Sequence, residues 1–103
     1  MTAAPLLRVV EDEIASGIWR VPAHLRAGVS RYLRDGDRVG HFLTAVLQND
    51  LREAVGRADD TSIAGLRQLI QFLHNHAPSK AWGSPEAVEA WIAQGGARGK
   101  AAK

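Results

Sequence analysis

The stretch from Gly40 to Asp60, GHFLTAVLQNDLREAVGRADD, decides how the rest of the chain is read. Apolar residues fall at Leu43, Val46, Leu47, Leu51 and Ala54, the i, i+3, i+4, i+8, i+11 recurrence of one helical face. Phe42 and Val55 widen this stripe beyond what a surface helix needs, so neighbours are expected on more than one side. The spacing predicts one long central helix. Gly40, before the stripe, and Gly56, near its end, are the residues expected to start or stop it, because glycine is costly in a helix interior.

Asp50 interrupts the stripe. It follows Val46 by one helical turn and Leu43 by two, which puts it on or beside the buried face. A buried carboxylate costs several kcal/mol unless it is paired or hydrogen-bonded. Two readings stand. Asp50 accepts bonds from another helix N-terminus or pairs with Arg57 or Arg26, or it faces a ligand in a cleft. Arg57 lies two turns further on, about 10.5 Å along the axis on the same side. The expected division is a structural Asp50 and an Arg57 available for binding.

Outward from this helix, Pro22–Asp35 reads as a helix with Pro22 near its first position and Gly36 as its stop. Leu25, Val29, Tyr32 and Leu33 are its expected buried face. Arg31, Arg34 and Arg38 approach one side with Asp35 and Asp37 interleaved, the pattern of a solvated charged face, with a weak anion site as the lesser reading. Residues 61–76 read as one further helix with Ile63, Leu66, Leu69, Ile70, Phe72 and Leu73 inward and Asp59 or Asp60 as its N-cap. His74, Asn75 and His76 crowd its last turn. His74 and His76 are two positions apart and point to different sides, so no metal site is expected there. Ser84-Pro85-Glu86 opens a last helix, with Ser84 as N-cap, Pro85 at the first position, and Val88, Trp91 and Ile92 inward. Trp82 sits in the preceding loop.

At the start of the chain, residues 5–16 form an amphipathic pattern with Leu6, Leu7, Val10 and Ile14 on one face and Gly17 as the stop. This segment either docks on the body or pairs with a second copy. Trp19 lies in the IWRV linker, where it pins the linker to the body or marks an interface. The expected organisation is an N-terminal helix over residues 1–17, a helical core over 18–95, and a disordered basic tail over 96–103. The fold class is all-α, a compact single-domain bundle of four to five short helices.

Composition narrows the function classes. The 103 residues are 46% hydrophobic, and no apolar run approaches the roughly 20 residues that span a bilayer. The opening MTAAPLLRVVEDE has no basic segment and turns acidic early, so a signal peptide is not expected. Cysteine is absent, which removes disulfides and thiolate chemistry. A cytoplasmic location is the expectation. Three of the 13 basic residues, Arg98, Lys100 and Lys103, follow Gly95, and none of the 11 acidic ones does. Residues 1–95 therefore carry ten basic against eleven acidic residues, a poor fit to nucleic-acid binding by phosphate neutralisation. No phosphate-binding loop, dinucleotide fingerprint or nucleophile elbow occurs, and no cofactor is expected. His74-Asn75-His76 lacks the ββα setting of an HNH nuclease.

The segments PAHLRAGVSRYLRDG, GHFLTAVLQNDLREAVGRAD, IQFLHNHAP and WGSPEAVEAW resemble a group of small proteins encoded in bacteriophages, prophages and plasmids. The resemblance runs from Pro22 to Trp91 and carries over no catalytic residue. It implies an accessory role during infection or transfer, including interference with host defence. The expected function is binding of a host or phage protein without catalysis, with Trp19, Trp82 and Arg57 as contact residues. The alternative is binding of a small nucleotide-like anion by Arg57, Asn49, Asp50 and Asn75.

Overall fold

The computed structural model describes residues 21–99. The expected N-terminal helix, its possible pairing with a second copy, and Trp19 lie outside the described residues, as do Lys100–Lys103. Within them the chain forms six α-helices and two 3-10 turns and no strand, the all-helical single domain that the periodicity predicts. The helices are α1 (Ala23–Asp35), α2 (His41–Leu47), α3 (Leu51–Arg57), α4 (Asp60–Ala64), α5 (Leu66–His76) and α6 (Pro85–Gln94). Among the described residues no helix is long and apolar enough to cross a membrane.

α1 and α6 form as their end signals dictate. Leu25, Val29, Tyr32 and Leu33 are the buried face of α1. Gly36 closes it in the left-handed conformation, with φ 74°; its N–H donates to the Tyr32 carbonyl and the Asp37 N–H to the Arg31 carbonyl. Ser84 Oγ accepts from the Ala87 N–H at 3.0 Å, Pro85 occupies the first turn of α6, and Gly95 ends it at φ 87°.

The central stretch is not one helix. α2 stops at Leu47, Asn49 turns to φ 63°, and α3 restarts at Leu51. Three local bonds make the break. The Asn49 N–H donates to the Val46 carbonyl at 3.0 Å and the Asp50 N–H to the Ala45 carbonyl at 2.9 Å. Asp50 Oδ1 then accepts from the Glu53 N–H at 3.1 Å as the N-cap of α3. Asparagine is one of the few residues that tolerate the left-handed region, and aspartate is a strong N-cap, so Asn49-Asp50 stops one helix and starts the next. The break corrects the reading of Asp50. It is an exposed cap, not a carboxylate on a buried face, and it pairs with neither Arg57 nor Arg26. Leu51 and Val55 leave the core for the same reason, at 69% and 50% exposure. α3 packs back on α2 and buries only Ala54.

The stretch over 61–76 is also divided. Asp59 caps α4 by accepting from the Ser62 N–H at 2.7 Å. Gly65 then interrupts the helix where Pro22 packs against it, and a Cβ there would collide with the Pro22 ring. The interruption rotates the apolar face. Leu69, Phe72 and Leu73 are buried, while Ile63 and Ile70, expected inside, are 42% and 36% exposed.

The core assembles around Tyr32 and Trp91, exposed by 1% and 2%. Both carry polar atoms that burial obliges to find partners. The Tyr32 hydroxyl donates to the Ala81 carbonyl at 2.6 Å, which fixes the 3-10 turn Ser79–Ala81. Trp91 Nε1 donates to the Tyr32 carbonyl at 2.9 Å, which fixes α6. Burial, and secondarily the nearby Glu89 carboxylate, raise the Tyr32 phenol well above its ordinary range.

The expected tail boundary moves. Gly96–Arg98 form a 3-10 turn against the end of α1. Gly96 lies so close to α1 that a Cβ there would stand 2.7 Å from the Arg34 carbonyl oxygen. Arg98 reaches Asp35 at 3.3 Å.

Trp91→Ala should destabilise the domain by about 3–5 kcal/mol, through the lost side-chain burial and the cavity. Tyr32→Phe should cost about 1–3 kcal/mol, because the Ala81 carbonyl is left unpaired inside. Urea unfolding of both variants measures this, and a Tyr32→Phe midpoint equal to the parent's would show that the bond contributes nothing.

Candidate functional site

Two surface features stand out, one apolar and one cationic. The apolar one is a shallow groove between α3 and α5. Leu51, Leu66 and Ile70 form its sides and Val46 and Ala54 its floor. Val55 follows Leu51 by one turn on α3, and Ile63 precedes Leu66 by three residues. Burying a leucine-sized side chain is worth about 1.5–3 kcal/mol, so four large apolar residues left exposed are an unspent driving force for association. Asn49 and Asp50 form the polar end of the groove.

The cationic feature is an open cleft of about 470 Å³ where α1, the loop after it, and the ends of α2, α3 and α4 meet. Its floor is Leu25, Gly28, Phe42 and Leu43, and its rim carries Arg31, Arg38 and Arg57. Each arginine has an acidic neighbour. Arg57 Nε donates to Glu53 at 2.7 Å, Arg38 makes a two-bond fork with Glu89 at 3.0 and 2.9 Å, and Arg31 stands 4.0 Å from Asp37. The Arg38–Glu89 fork lowers the Glu89 carboxyl below its usual range and raises the guanidinium further.

His24, Ser62 and Asp59 also line the cleft. His24 Nε2 lies 3.0 Å from Ser62 Oγ. The Ser62 N–H and then its hydroxyl hydrogen-bond to Asp59 and hold that carboxyl below its ordinary value, with a further contribution from His24. The order is imidazole, hydroxyl, carboxylate. A hydrolytic triad needs the imidazole in the middle, so that a base oriented by the carboxylate faces the hydroxyl. The present order ties α1 to the start of α4. Among the described residues no group of three or more His, Asp or Glu side chains is placed to hold a metal ion.

The residues named from the sequence are dispersed. Arg57 lines the cationic cleft and Asp50 the apolar groove, two different concavities. Asn49 reaches both the groove and a third concavity, of about 430 Å³, that Trp82, His74 and Gly83 also line. Trp82 is half-buried and packs on the core. The loop behind it is tied to α2 by the Gly83 N–H, which donates to the Leu47 carbonyl at 2.7 Å. Asn75 is exposed and bonds the Gln71 carbonyl of its own helix at 2.7 Å. The sequence reading passed over Leu51, Ile70 and His24 as site residues and held Arg31 only in the lesser reading of a weak anion site. A signal for Leu51 was present: Asn-Asp followed three residues later by Glu is a helix-start pattern, and a restart there turns Leu51 outward.

Asp50→Ala should lower stability by about 0.5–2 kcal/mol, the cost of a lost cap, well short of the several kcal/mol for a stripped buried charge. Arg57→Ala should cost under about 1 kcal/mol, since its partner is as exposed as it is. Denaturant titrations distinguish these values.

Asp59 and Glu89 have carboxyls held low in the fold, so each stabilises above the ordinary carboxylate pKa and ceases to as pH falls through the lower folded value. Melting temperature should therefore fall below about pH 4. Asp59→Asn should flatten that decline, and an unchanged acid profile would remove Asp59 from it. No protein-family model, curated protein or solved structure matches the chain.

Proposed function

We propose that this chain is a non-catalytic binding module that acts in the bacterial cytoplasm and docks an apolar helix of a host or phage protein in the groove between α3 and α5. The observation that carries the reading is the exposure of Leu51 on α3 and Ile70 on α5, which line the groove, with Val55 and Ile63 also exposed on α3 and α4. A groove with apolar side chains from two helices accepts the apolar stripe of a third. Asn49 and Asp50 at the end of the slot supply polar contacts that set orientation. The resemblance of Pro22–Trp91 to phage, prophage and plasmid proteins supports a partner met during infection or transfer, and interference with host defence is the role that this origin suggests.

The test is site-specific photocrosslinking of the full chain in a bacterial host, with the crosslinker at position 51 or 70 and, as a control, at Glu86 on α6. One protein partner captured from 51 and 70 and not from 86 is expected. Ile70→Asp should melt like the parent and weaken that partner's binding by about tenfold or more, the equivalent of losing about 1.5 kcal/mol of buried side chain. Crosslinks confined to residues 1–20 of the same chain, or to a second copy, would show that the protein fills its own groove and would overturn the reading.

A further inference from the structure

We infer that the cationic cleft between α1 and the α2–α4 segment is a binding site for a phosphate-bearing small molecule of nucleotide size. The inference is independent of the apolar groove. It rests on three features. First, the described residues that line the cleft include three guanidiniums and one carboxylate, Asp59, and that carboxylate is engaged by Ser62. Second, the arginines are only loosely committed. Arg31 and Asp37 stand 4.0 Å apart, Arg57 and Glu53 are each about half exposed, and pairs of this kind are worth about 0–1 kcal/mol. A phosphate with three acceptor oxygens competes well for such donors, because a fork of charged N–H groups fits it. Third, the floor is apolar and the cleft holds about 470 Å³, more than a free phosphate fills.

The chemistry divides along the cleft. Arg31 on α1 and Arg57 at the end of α3 face it from different elements and supply the charge. His24 and His41 add ring N–H donors between them. Leu43 packs so closely on Gly28 that a Cβ there would stand 3.1 Å from Leu43 Cδ1, which closes the floor of the cleft as an apolar surface. Such a surface suits the face of a heterocyclic base or a similar planar group. Arg38 is the exception. Its two-bond fork with Glu89 holds it to α6, so it sets the potential of the rim and makes no direct contact.

Titration of the full chain with ATP, AMP, inorganic phosphate and a short single-stranded oligothymidylate, followed by amide NMR, tests this. ATP should shift the Gly28 and Gly40 amides. The Arg31→Gln/Arg57→Gln double variant should melt like the parent and bind ATP about tenfold or more weakly, as expected for lost charge-assisted bonds. Ile70→Asp should leave ATP binding unchanged, which separates this site from the groove. The inference is overturned if ATP shifts no amide of the cleft, or if the double variant binds it as the parent does. It is also overturned if inorganic phosphate binds as tightly as ATP, or if the oligothymidylate binds and ATP does not.

Discussion

The structure depends on the two bonds made by Tyr32. Its hydroxyl holds the carbonyl of Ala81 and its carbonyl holds the indole N–H of Trp91. One residue near the end of α1 thereby fixes two segments that come much later in the chain. Neither bond is optional, because a hydroxyl, an indole N–H or a carbonyl left unpaired at this depth costs more than the bond itself contributes. The other long-range features follow from that placement. With α6 seated on Tyr32, Glu89 comes within reach of Arg38, and the loop holding Trp82 closes over the end of α2 through Gly83.

The parts of the fold that were legible in the sequence are those set by local chemistry. Pro22 and Gly36 bracket α1, Ser84-Pro85 and Gly95 bracket α6, and the buried face of α1 is the one its spacing gives. The parts that were not legible have two causes. At Asn49-Asp50 the apolar stripe continues across a real helix boundary, so periodicity outvotes the cap residues when both are read from a string. At Gly65 the cause is tertiary: the helix yields because Pro22, far away in sequence, packs against it. No local pattern carries that information. The candidate site suffered from the first error, because an unbroken helix puts Leu51 inside and Asp50 beside it.

α3 is held in an unusual way for a helix at the centre of a small domain. Only Ala54 is buried, and the remaining support is the Asp50 cap and the Glu53–Arg57 pair one turn apart. Helices of two turns have little stability of their own. Local opening of α3 is therefore expected at lower free energy than opening of α1 or α6, whose tyrosine and tryptophan fill the core. Because Leu51 belongs to the groove and Arg57 to the cleft, this weakly anchored helix contributes to both surfaces. A ligand on either face would order it for the other, since each would bear part of the same conformational cost.

The close approach of Gly36 and Gly96 has a consequence for synthesis. Each lies in the left-handed region, and each would drive a side chain into the other's backbone. The end of α1 is thus sealed by residues made long after it. While a ribosome is still extending the chain, α1 can coil and α2 can pack on it, but Tyr32 has no indole to serve and Gly36 has no backbone to meet. The nascent protein must carry an open apolar flank until residue 98 has emerged, and only then does it close in one cooperative step. Late contacts between distant positions slow folding and lengthen the exposure of that flank. Such a chain is at its most vulnerable to proteases and to chance partners in the interval between the synthesis of residue 98 and its first closed state.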